Sequence, residues 1–99
     1  MSKNTTEIVQ LIAQYIPNEQ RISILKSLLE VYGSIYKTSK VTRISRPALY
    51  RYLASDKKSY PNDDVTARLL TALLDIKRSW IKDQLKQLSK DFNELINKL

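Results

Sequence analysis

Between Pro61 and Leu99 the chain has neither glycine nor proline, and in its 99 residues only Gly33, Pro17, Pro47 and Pro61 are built to interrupt a helix. Apolar residues recur at helical spacing between these breaks, so the expected fold is all-α. Thr5 or Thr6 is placed to cap a first helix, in which Ile8, Leu11, Ile12, Tyr15 and Ile16 form one stripe. Pro17 and Asn18 end it, and Asn18 suits the cap of a second helix with Ile22, Leu25, Leu28, Leu29 and Tyr32 on a face. Gly33 stops that helix, because glycine takes the left-handed C-terminal position without strain. Ser34 opens a third segment, to about Thr42, and Ser45 caps a fourth, to about Ala54. Pro47 falls in the first turn of the fourth, where its missing N–H would be unpaired in any case. Ser55 to Pro61 reads as a polar loop, and Asp63 or Asp64 suits the start of a last helix, at the positive end of its dipole.

The side-chain inventory narrows the chemistry. With no His and no Cys, imidazole bases, thiolate nucleophiles, disulfides and the usual zinc or haem ligands are all excluded, and no metal, cofactor or catalytic residue is expected. The remaining titratable groups are scattered carboxylates and six tyrosines, which do not converge on a reaction centre. No apolar run approaches the roughly 18–20 residues needed to cross a bilayer, and no leader pattern opens the chain, so an intracellular protein without a membrane partner is expected.

The formal net charge is +7, and its distribution says more than its size. Residues 1–30 are neutral and residues 62–99 are nearly so. The stretch 31–61 carries Lys37, Lys40, Arg43, Arg46, Arg51, Lys57 and Lys58 against Asp56 alone. One sign of charge, clustered and uncompensated, is the footprint of an anionic partner, and nucleic acid is the default.

That stretch also has the layout of a tri-helical helix-turn-helix: two short helices joined by about three residues, the second basic, with a separate amphipathic helix before them. The run Ile44-Ser45-Arg46-Pro47-Ala48-Leu49-Tyr50-Arg51-Tyr52-Leu53 resembles the recognition segment of the DNA-binding domains of resolvase and invertase recombinases. It is similar, too, to small archaeal and phage regulators. The resemblance covers Ile35 to Ala54 and implies a second helix that enters the major groove of double-stranded DNA. The chain departs from that pattern at Arg43, where the family usually has glycine, and at Thr42, where a larger apolar residue is usual. A left-handed Arg43 would cost on the order of 1 kcal/mol. Pro61 followed by Val65, Leu69, Leu70, Ala72 and Leu73 further resembles the supporting helix of phage repressors.

Helical geometry then assigns roles. Ile44, Leu49, Tyr52 and Leu53 should face inward, on Ile35, Val41 and the second helix, whereas Arg46 with Tyr50 and Pro47 with Arg51 share the opposite face. Arg46 and Arg51 are long enough to reach base edges, Pro47 and Ala48 suit a thymine methyl, and Tyr50 lies among them. Ser45 and the first-turn N–H groups suit a phosphate, as do Lys37, Lys40, Arg43, Lys57 and Lys58. The plainer alternatives are a core role for Tyr52, a merely exposed Tyr50, and a surface pair between Arg51 and Asp56.

From Leu74 the apolar spacing changes. Leu74, Ile81, Leu88 and Leu95 are seven apart, and Leu85, Phe92 and Leu99 are seven apart and offset by four, an a/d seam that Arg78 interrupts. Val65, Leu69, Leu73, Ile76 and Trp80 follow another stripe, suited to the domain core. The seam is expected to pair two copies into a homodimer; the alternative is a turn back near Ser79 onto the Ile8/Leu11/Ile12 face. The expected organisation is therefore a helix-turn-helix domain at 1–76, with the motif at about 34–54, an extra N-terminal helix before it, and a dimerisation helix at 77–99. The expected function is sequence-specific DNA binding by a small dimeric transcriptional regulator, associated with the nucleoid. The alternatives are an accessory factor in recombination or partition, and a helical protein-interaction module.

Overall fold

The computed structural model describes residues 5–54 and 59–99, and all their regular structure is helical. The elements are α1 (Thr5–Ala13), α2 (Asn18–Tyr32), α3 (Ile35–Thr42), α4 (Arg46–Leu53) and α5 (Asp63–Asn97). Helix α5 is the spine: α1, α2 and α3 each pack on it, and α4 packs on α3. Leu25 and Leu28 of α2, Leu49 of α4, and Leu69, Leu70 and Leu73 of α5 are completely buried in one core. Burial of each such side chain stabilises the fold by about 1.5–3 kcal/mol relative to exposure.

Local chemistry sets most helix ends. Gly33 is left-handed (φ 78°) and its N–H donates to the Leu29 carbonyl, closing α2. The hydroxyls of Ser34 and Ser45 accept from the N–H groups of Lys37 and Ala48, capping α3 and α4. Two caps lie one residue earlier than the sequence suggests. Pro17, not Asn18, occupies the cap position of α2, because its carbonyl accepts the first helical bond, from Arg21 N–H. Asn62, not Asp63 or Asp64, caps α5 by accepting from Val65 N–H. Both aspartates are thereby left for other partners: Asp63 pairs with Arg21 and Asp64 with Arg68.

In α1 and the turn after it, Val9, Ala13 and Ile16 are buried and Ile12 is half-buried, so of the expected stripe only Ile12 and Ile16 face inward. Ile8 and Leu11 remain substantially exposed, and Tyr15 is 83% exposed. Ala13 is wholly buried but small, and a stripe chosen by side-chain size passes over it. In α3 the inward residues are Thr38 and Thr42, while Val41, expected inside, is exposed. Each threonine hydroxyl donates one turn back, Thr38 to the Ser34 carbonyl and Thr42 to the Thr38 carbonyl, so it enters the core with its polar group satisfied.

Helix α5 is interrupted once, at Lys77 (φ −138°, ψ 51°), with neither Gly nor Pro nearby. Beyond the break the helix returns to the core: Ile81 is 1% exposed and Leu85 packs beside it. Ile81, expected on a seam between copies, therefore belongs to the core of its own chain, as do half-buried Leu74 and Leu85. Ile76 and Trp80, expected in the core, lie at the surface on either side of the break. Leu88 is half-buried, and Phe92, Leu95 and Leu99 are exposed. Among the described residues, no helix is long and apolar enough to cross a membrane.

Candidate nucleic-acid interface

Three residues, Arg43, Ile44 and Ser45, join α3 to α4. Arg43 is left-handed (φ 61°, ψ 26°) although it is not glycine, and it is the one non-glycine residue with positive φ among those described. The strain is held by a full set of partners. Arg43 N–H donates to the Ser39 carbonyl at 2.8 Å, and the Arg43 carbonyl accepts from Arg68 Nη1 at 3.0 Å. Ile44 N–H donates to Thr42 Oγ1 at 3.3 Å, and the Ile44 carbonyl accepts from Ser39 Oγ at 2.6 Å. The Thr42 hydroxyl thus does what a larger apolar residue there could not, pairing a backbone N–H inside the turn. Arg68 anchors the turn to α5, its other terminal nitrogen 3.1 Å from Asp64.

This turn sets α4 with Ile44 and Leu49 buried, Ala48, Tyr52 and Leu53 half-buried, and Arg46, Pro47, Tyr50 and Arg51 exposed. The Arg46 guanidinium lies over the Tyr36 ring of α3, 5.7 Å from its centroid, and that of Arg51 lies 5.8 Å over Tyr52. Tyr36 is exposed and was not singled out from the sequence. Its signal was its place at the start of α3, one turn ahead of Lys40, on a face that carries no other apolar demand. A guanidinium over an aromatic face is attracted by the ring's electron-rich surface and keeps N–H donors free for another partner.

Lys37, Lys40 and Arg43 are exposed around these two helices, as is Ser45. No acidic residue occurs from Val31 to Ser55, and among the described residues no ion pair neutralises Lys37, Lys40, Arg43, Arg46 or Arg51. The start of α4 offers an anion less backbone than expected. Pro47 has no N–H and that of Ala48 is taken by Ser45 Oγ, which leaves the N–H of Arg46. Lys57 and Lys58, and the possible Arg51–Asp56 pair, lie outside the described residues. Among the described residues, no group of three or more acidic side chains is gathered to hold a metal. No protein family, curated protein or solved structure matches the chain.

Proposed function

We propose that the chain binds double-stranded DNA through a helix-turn-helix formed by α3 and α4, with α4 in the major groove, and that it acts as a small dimeric transcriptional regulator. The observation that carries this reading is the exposed, unpaired basic surface of the two short helices and their turn, set on an otherwise nearly neutral chain. Arg46 and Arg51 are the base-reading candidates, with Pro47, Ala48 and Tyr50 beside them. Lys37, Lys40, Arg43 and Ser45 are the phosphate contacts. Arg46 is supported in this role by Tyr36, which holds its guanidinium at the exposed end of α4.

Titrating a labelled duplex at increasing salt tests the reading. Log K should fall linearly with log salt, at about −0.9 per neutralised phosphate. Selection from random duplexes should return a site with two-fold symmetry, its half-sites one helical turn or a multiple apart. Absent or salt-insensitive binding overturns the reading and favours a helical module that docks on protein.

A further inference from the structure

Beyond Leu85 the last helix carries apolar residues that its own chain does not cover. Leu88 is half-buried, Phe92 is 64% and Leu95 62% exposed, and Leu99 stands fully in solvent just past the helix end. The chain keeps the helical path through Lys98 (φ −80°, ψ −12°), so the four residues follow one seam with 4-3-4 spacing. Beside that seam lies an apolar groove of about 490 Å³, walled by Ile12, Tyr15, Ile16 and Pro17 on one side and Leu88 and Phe92 on the other.

We propose that a second copy of this chain fills the groove, with the two distal α5 segments antiparallel and in one register. Phe92 of each copy faces Leu95 of the other, and Leu88 of each faces Leu99 of the other. Charge selects this register. In heptad terms Asp91 and Lys98 flank the seam at g positions, which meet each other in an antiparallel pair. With Phe92 on Leu95, Asp91 of each copy meets Lys98 of the other, giving two opposite-charge pairs. A slip of one heptad sets Asp91 against Asp91 and leaves Leu99 opposite Ile81, which is already buried in its own core. A parallel pair sets Asp91 beside Ile96 and gives neither Asp91 nor Lys98 an opposite charge from the other copy; among the described residues of its own chain Asp91 accepts only from the neutral Gln87 Nε2, at 3.0 Å. The antiparallel register also brings Leu99 of one copy to the level of Leu88 in the other, at the mouth of the groove below Tyr15 and Pro17. The same contact therefore covers the seam and the groove.

This specifies the dimer of the proposed function but is tested without DNA, so either can fail alone. Sedimentation equilibrium should give a dimer for the native chain. Asp91→Lys and Lys98→Asp should each shift it at least tenfold toward monomer, with unchanged circular dichroism, and the double swap should restore the dimer. The native chain has no cysteine, so disulfide trapping reads the orientation directly. Leu88→Cys mixed with Leu99→Cys should cross-link, and Leu99→Cys alone should not. A monomeric native chain, a double swap that stays monomeric, or self-cross-linking of Leu99→Cys would each overturn the proposal.

Discussion

Arg21 Nη2 lies 2.8 Å from Asp63 Oδ1, joining the first turn of α2 to the first turn of α5, and the two residues are unequally buried. The arginine is in the core and the aspartate is more than half exposed. The guanidinium also donates to the carbonyls of Ala13 (2.7 Å), Ile16 (2.8 Å) and Pro61 (2.8 Å). Arg21 thus gathers the end of α1, its own helix and the approach to α5. Tyr60 adds a second tie between the same segments, its hydroxyl donating to the Glu19 carboxylate at 3.1 Å. That bond, with lesser contributions from burial and from the Glu19 charge, raises the phenol above the usual tyrosine range.

Removing either end of the Arg21–Asp63 pair should therefore have unequal effects. Arg21→Ala strips three carbonyls of their donor and opens a hole between three helices, and should cost about 3–5 kcal/mol. Asp63→Asn removes only the exposed partner of a guanidinium that keeps its carbonyls, and should cost about 1 kcal/mol or less. Urea unfolding of the two variants measures the difference; equal losses would mean that the ion pair, not the carbonyl contacts, holds the junction.

Two buried threonines should respond to the same substitution with opposite signs. The Thr42 hydroxyl pairs with Ile44 N–H and the Thr38 carbonyl, so Thr42→Val leaves a buried N–H unmet and should cost about 1–3 kcal/mol, with Thr42→Ser recovering part of it. The Thr66 hydroxyl is fully buried and has no partner among the described residues, so Thr66→Val should stabilise by about 1 kcal/mol. For a domain of this size that is a rise in Tm of roughly 4–8 °C. Thermal unfolding followed by circular dichroism reads both.

What the sequence made legible was chiefly what neighbouring residues decide among themselves. Ser34 and Ser45 as caps and Gly33 as a stop each depend on a few adjacent positions, and all three stand as expected. The misses need the third dimension. Arg21 counts as a surface charge until Ala13, Ile16 and Pro61 bring their carbonyls to it. Two stripes on α1 satisfy the helical period, and only the packing of α1 on α5 selects between them. Nothing local marks the break at Lys77, which instead lets Ile81 reach the core that α1 and α2 leave open. At the candidate site, spacing placed Arg46 and Arg51 outward, but Tyr36 lies ten residues from Arg46 and is brought beside it by the turn.

The turn offers a substitution in which stability and binding should part. Arg43→Gly relieves the left-handed strain of a non-glycine residue and keeps both backbone bonds of position 43, so the protein should gain up to about 1 kcal/mol. The same change removes a proposed phosphate contact and should flatten the salt dependence of duplex binding by about one phosphate. A more stable protein with an unchanged salt slope would take Arg43 off the interface.

On a selected duplex, Arg46 and Lys37 should be separable by what they lose. Arg46→Ala should erase the preference at one base position, about 1–3 kcal/mol of discrimination, while binding to unrelated duplexes falls less. Lys37→Ala should weaken all sequences alike. Tyr36 acts through Arg46, since its ring lies under that guanidinium. Tyr36→Ala should therefore reproduce part of the Arg46→Ala loss of preference and add little to it in the double variant, because a residue that only positions another has nothing left to do once its partner is gone. Competition binding against a panel of single-base variants of the duplex measures all four proteins. If Lys37→Ala changed the preference and Arg46→Ala did not, α3 rather than α4 would be the helix that reads the groove.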